Sequence, residues 1–190
     1  MKHLAWIFNC MLLVGLISQA HSATLAMAFD ADPVSLDPHE QLSEGTLQLS
    51  HMAFDPLLRW TQDKRFEPRL ATRWERIDRL TTRFYLRKNV TFHSGNPFRA
   101  DDVVYTFKRL KKSADFRALF ETISTIKKVD AHTVDVVTRE TNPLLLNILT
   151  YLFPVDQKFY QGNDEIIKYG DTFASRNVSG TGPFVITYRE

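Results

Sequence analysis

Residues 84–105 read Phe84-Tyr85-Leu86-Arg87-Lys88-Asn89-Val90-Thr91-Phe92-His93-Ser94-Gly95-Asn96-Pro97-Phe98-Arg99-Ala100-Asp101-Asp102-Val103-Val104-Tyr105. Phe84 and Leu86 alternate with Arg83, Tyr85 and Arg87, the period-two pattern of a half-buried strand. His93 to Pro97 reads as a turn, in which Gly95 supplies a positive φ and Pro97 fixes the exit. A helix follows over 101–112, with Val103, Phe107 and Leu110 as its apolar stripe. Asp101 and Asp102 stand at its positive end, and Lys108, Arg109, Lys111 and Lys112 at its negative end, an order that suits the helix dipole. Strand, turn and amphipathic helix in one short stretch make this a mixed α/β (α+β) chain.

The pattern continues outward on both sides. Upstream, 82–87 pairs with 74–77 as a hairpin, 66–71 is a connection, and 57–60 is a short strand. Residues 42–54 carry apolar side chains near helical spacing, and Pro56 stops that helix. At 24–29, Leu25, Met27 and Phe29 share one side of an expected first strand. Downstream, 115–123 reads as a second short helix, and 126–129 with 133–138 as a hairpin around Asp130-Ala131-His132. Pro143 opens a helix through Tyr151 with Asn142 as its cap. Gly180-Thr181-Gly182-Pro183 reads as a tight turn where two elements cross, followed by a strand over 184–188.

The chain has 190 residues, 44% of them hydrophobic and 24% charged, which excludes a disordered tail, a collagen-like fibre and a multi-span membrane protein. Lys and Arg number 24 against 22 Asp and Glu, so the net charge of +2 leaves no electrostatic footprint for nucleic acid. Residues 1–23 read as a secretory signal. A positive start, Met1-Lys2-His3, precedes an apolar run over 4–17, then small residues with cleavage after Ala20, Ser22 or Ala23. The one cysteine, Cys10, lies inside that run, so the exported product would carry no thiol and no disulfide.

No catalytic constellation emerges. His39, His51, His93 and His132 lack helical metal-site spacing and read as turn or surface histidines. Asp101-Asp102 is better explained by the helix dipole than by acid–base work. No Gly-x-Ser-x-Gly is present, and Gly180-Thr181-Gly182 lacks the Lys and the following helix of a phosphate loop. The chain therefore reads as a non-enzymatic binding protein without metal or cofactor, and a secreted hydrolase has no visible nucleophile.

Several segments together resemble one family, the extracellular solute-binding proteins of the peptide/nickel class (family 5), which serve ABC importers. Ser35-Leu36-Asp37-Pro38-His39 is similar to its N-terminal signature. Phe54-Asp55-Pro56-Leu57-Leu58-Arg59 and Pro68-Arg69-Leu70-Ala71-Thr72-Arg73-Trp74-Glu75 resemble its next blocks. The stretch 84–105 is the longest match, and Ser179-Gly180-Thr181-Gly182-Pro183-Phe184 is similar to its Gly-Thr-Gly-Pro block. All stand in collinear order. The resemblance implies a periplasmic-binding-protein-like II fold of two lobes, with 24–190 forming the N-terminal part of the first lobe and the second lobe missing. It implies capture of an oligopeptide-like solute in the periplasm, delivery to an ABC permease at the membrane, and a monomer. Nickel complexes, oligosaccharides or another small solute are the family's alternatives, and a truncated, non-functional fragment is a further one. The resemblance places Asp32 and Val34 where family members meet the ligand main chain in a β-like way. Pro33 between them has no N–H to offer. Two departures stand out. Arg99 replaces a helix-capping Thr, so the cap must come from an Asp or from water, and Arg79 replaces a turn Gly, which predicts a longer or strained hairpin.

Overall fold

The computed structural model describes residues 34–188. The expected first strand at 24–29 and the signal over 1–23 lie outside them. Among the described residues, no helix is long and apolar enough to cross a membrane.

Four strands build an antiparallel sheet in the order β3 (Ala71–Arg76), β4 (Thr81–Leu86), β6 (Thr133–Thr138), β5 (Ile123–Asp130). The alternation around Phe84 does what its pattern predicts. Phe84 and Leu86 are buried with Val134, Val136, Ile123 and Ile126 beneath the sheet. On the opposite face Arg83 forms a two-pronged ion pair with Asp135, at 2.7 and 2.8 Å. Beside it, Arg73 lies 3.3 Å over the Tyr85 ring. The helix α2 (Ala100–Leu110) lays Val103, Phe107 and Leu110 into the same core. At roughly 25 cal/mol per Å² of apolar surface buried, such side chains supply most of the favourable energy of this half.

The turn at 93–97 forms with Gly95 at φ 88, as its residue type requires. The cap of α2 comes from Asp102, whose carboxylate accepts the Arg99 N–H at 2.8 Å. Arg79 is not strained. It has no positive φ, and Asp78 Oδ1 ties the four-residue loop by accepting from Leu80 and Thr81 at 2.7 and 2.8 Å.

Several expectations are corrected. Residues 66–71 are not a mere connection. Phe66–Pro68 is strand β2, paired antiparallel with β1 (Leu58–Trp60), where Trp60 packs on Phe66 and Arg59 pairs with Glu67. Pro68 is tolerated there because the strand lies at an edge. The expected helix at 115–123 is a run of turns mixing Arg117 N–H to Ser113 O with Glu121 N–H to Ala118 O. That tighter path carries both Phe116 and Phe120 into the core before Ile123 opens β5. The helix after Pro143 is short, α3 (Leu145–Leu149), and Asn142 serves it by accepting the Leu144 N–H at 2.8 Å. Residues 184–188 form no strand among the described residues. Gly182 and Phe184 instead donate to Ala53 and Met52 carbonyls at the end of α1 (Glu44–Ala53). Two further short helices, α4 (Gln157–Tyr160) and α5 (Phe173–Arg176), flank a second apolar cluster of Ala53, Phe54, Phe153, Val155, Tyr160 and Ala174.

Candidate functional site

The helix α2 has two buried faces, not one. Beside the apolar stripe, Asp102, Thr106 and Arg109 recur at i, i+4 and i+7, and all three are buried. This polar stripe is the root of the site. Thr106 Oγ1 accepts the Val155 N–H at 2.9 Å, and Asp102 Oδ1 accepts the Gln157 N–H at 3.0 Å, so the segment entering α4 is pinned along the helix. Burial pushes the Asp102 carboxyl up to about 6 despite those donated N–H bonds.

Arg109 reaches the segment over 34–42. Its guanidinium grips Asp37 with both prongs, at 2.8 and 2.7 Å, and both side chains are only 1% exposed. Burial alone would raise the Asp37 carboxyl, but the bonds and charge of Arg109 hold it below the usual carboxylate range. The segment is shaped locally as well, since Ser35 Oγ accepts the Asp37 N–H and Asp37 Oδ1 accepts the His39 N–H. Arg109 also donates to His39 Nδ1 at 3.1 Å, while His39 Nε2 lies 2.9 Å from the Phe153 carbonyl. An accepting Nδ1 leaves the proton on Nε2, a neutral imidazole donating to Phe153. Burial, then the Arg109 charge, lower its pKa to about 4. His39 does sit in a turn, but it is no surface histidine: it is fully buried and held by two partners.

The Nη2 prong, already on Asp37, also faces the segment over 164–178 and donates its second N–H to the Glu165 carbonyl at 3.2 Å. Glu40 accepts the Tyr169 N–H at 2.7 Å, and Leu36 donates its N–H to Ser175 O at 3.1 Å. Thr172 caps α5 by accepting the Ser175 N–H. Between these two segments opens a cleft of about 760 Å³, with Val34 and Leu36 on one wall and Tyr169, Ser175 and Arg176 on the other. Val34 is 57% exposed at its edge. Arg176 is held by Asp171 at 2.5 and 2.6 Å, so the cleft offers apolar surface, backbone and one charged pair. Of the two residues carried over by resemblance, Val34 lines this cleft and Asp32 lies outside the described residues.

A third junction closes the floor. Asp156 caps α4 by accepting the Phe159 N–H, and it also accepts from Ser94 Oγ (2.5 Å), Asn96 Nδ2 (3.0 Å) and Ser179 Oγ (3.1 Å). His93 Nε2 lies 2.9 Å from Gly182 O, and Tyr160 donates its hydroxyl to Asn177 O while accepting the Ser179 N–H. Gly180 and Gly182 pass so close to α1 that a Cβ would stand 1.9 Å and 2.4 Å from the Ala53 and Met52 carbonyls. The Gly-Thr-Gly turn is thus a crossing point, as its residue types predict. Among the described residues no group of His, Cys, Asp and Glu is arranged to hold a metal ion.

Sequence reasoning does not find the roles of Arg109 and Asp156, nor the burial of His39. Arg109 passed as a dipole-complementing cation in the last turn of α2. The available signal was the Asp102–Thr106–Arg109 spacing, a second stripe too polar to register as a buried face.

Comparison with known proteins follows the same lines. The family model described as "Bacterial extracellular solute-binding proteins, family 5 Middle" matches residues 65–190. Di/tripeptide-binding protein 1 of Pseudomonas aeruginosa is 31% identical, covering 92% of this chain and 37% of that protein. The periplasmic murein peptide-binding protein MppA of Escherichia coli is 26% identical, covering 100% of this chain and 40% of that protein. Among solved structures, the Escherichia coli murein tripeptide-binding protein MppA superposes with a TM-score of 0.72 at 24% identity, covering 85% of this chain and 35% of that one. A dipeptide-binding protein of Pseudoalteromonas sp. SM9913, in complex with Met-Leu, gives 0.69 at 25% identity over 84% and 36%. The chain thus spans well under half the length of the curated relatives it matches.

Proposed function

The chain belongs to the bacterial extracellular solute-binding proteins of family 5, and from that premise we propose that it helps capture a short peptide for an ABC importer. The observation that carries the reading is the cleft between residues 34–36 and 169–188, whose edge is Val34 and whose walls offer backbone and apolar surface. A peptide lying along the segment at 32–34 presents its own backbone N–H and C=O groups, and Asp32 and Val34 supply the matching groups in a strand-like way. Apolar side chains of the peptide pack on Leu36, Phe159 and Ile186. Capture is non-covalent. The solute exchanges its water shell for protein contacts, shifts an open–closed equilibrium and is passed to the permease. The protein works as a periplasmic monomer after cleavage of its leader at Ala20, Ser22 or Ala23.

Calorimetric titration with di-, tri- and tetrapeptide mixtures tests the reading. Saturable heat with a peptide mixture, weakened in Val34→Asp, is the expected result. Heat only with a nickel–histidine complex or an oligosaccharide, or none with any peptide, overturns the peptide assignment. Sequencing the N-terminus of the exported product tests the leader, with a start just after Ala20, Ser22 or Ala23 expected and an intact Met1 contradicting it.

A further inference from the structure

We propose that Arg109 is a positioning residue that closes the two walls of the cleft as one unit. The inference rests on the proposed function only for what the cleft holds, and its test needs no ligand. One guanidinium, rooted in the last turn of the sheet-packed helix α2, touches both walls. It grips Asp37 and His39 from the wall at 34–42 and the Glu165 carbonyl from the wall at 164–178. The Tyr160 ring lies 5.6 Å from its centre. Two further bonds cross directly between the walls, Leu36 N–H to Ser175 O and Tyr169 N–H to Glu40 Oε1. Neither wall belongs to the sheet. Each is a loop-rich segment, a kind of structure that opens at low cost unless something ties it to the core.

The fork of Arg109 is the buried tie, because it is planar and serves three directions at once, whereas Asp115, which accepts from Leu42 N–H at 3.2 Å and Lys168 at 2.7 Å, joins the same walls only at the exposed surface. A lysine at this position keeps the charge but is a point donor that cannot grip a carboxylate with two prongs and reach a carbonyl as well. Losing the fork therefore frees both walls together, and both crossing bonds break in one event.

Hydrogen exchange on the ligand-free full chain decides. In Arg109→Lys, the Leu36 and Tyr169 amides are expected to exchange about tenfold faster or more, by the same factor, while the ladder amides of β4 and β6 stay within about twofold of the wild type. Acceleration of one wall alone, or an equal rise in the ladder, overturns the proposal. If the variant does not fold, the wild type under mild denaturant gives the answer. Leu36 and Tyr169 are then expected to share one opening free energy and one denaturant slope below those of the ladder. Two separate openings would overturn the proposal.

Discussion

The two faces of α2 show two ways of holding a chain together. Toward the sheet, Val103, Phe107 and Leu110 meet Phe84, Val134 and Val136, and the contact is apolar throughout. Toward the cleft, Asp102, Thr106 and Arg109 meet backbone amides, a carboxylate and an imidazole. The first face is non-directional and tolerates small changes of shape. The second is directional, and each buried polar group depends on its partner. The apolar face gives the lobe its stability, and the polar face sets where the cleft walls lie.

The largest expected effect tests the apolar side. Phe84→Ala removes a fully buried ring and should cost about 3–5 kcal/mol by denaturant unfolding. The loss should be the same at pH 7 and pH 4.5, since no titrating group touches it in the core. A strongly pH-dependent loss would erase the contrast between the two faces.

The polar side should answer to pH. His39 titrates near 4 in the fold against an ordinary 6.5, so it stays neutral while the unfolded chain takes up a proton. Its contribution is full above pH 6.5 and is lost as pH falls toward 4, on the order of 3 kcal/mol. Asp102 runs the other way. Its folded value of about 6 exceeds the ordinary 3.8, so its cost is full above pH 6 and fades as pH falls toward 3.8. The two offset each other in the wild type. Asp102→Asn should unmask the His39 loss as a falling denaturant midpoint between pH 6 and 4. A midpoint as flat as the wild type's would contradict this.

A smaller effect concerns the crossing at the floor. Gly180→Ala drives a Cβ into the Ala53 carbonyl, which is backbone and cannot swing aside, and should cost about 1–3 kcal/mol. Gly95→Ala is a useful partner, since open space surrounds it and only its positive φ is strained. The smallest effect belongs to the solvent face of the sheet. Arg83→Ala breaks a partly exposed ion pair with Asp135 and should cost under about 1 kcal/mol, falling further in high salt.

What could be read from the chain divides along the same line. Phe84 and Leu86 alternate, and Val103, Phe107 and Leu110 recur at helical spacing, so periodicity found the sheet and the face packed on it. Turn chemistry found Gly95 and the Gly180–Gly182 crossing. The walls and floor of the cleft were not legible, because Asp37 meets Arg109 across 72 positions and Ser94 meets Asp156 across 62, and no local pattern announces such pairs. The run at 115–123 misled for a related reason. Phe116 and Phe120 have helical spacing, but both must enter one core through a short connection, and the backbone tightens into turns to let them. At 184–188 a strand is expected after the Gly-Thr-Gly-Pro turn, whereas Phe184, and Gly182 before it, spend their N–H groups on the end of α1.

In the proposed function, the solute meets this protein at the cleft edged by Val34. Amide chemical-shift mapping of the labelled full chain against a di- and tripeptide mixture tests it most directly. Saturable shifts confined to Val34, Leu36 and the segment at 169–178, with β3 to β6 unmoved, are expected. Shifts centred instead on the depression beside Trp60 and Arg69, or spread evenly over the sheet, would contradict it.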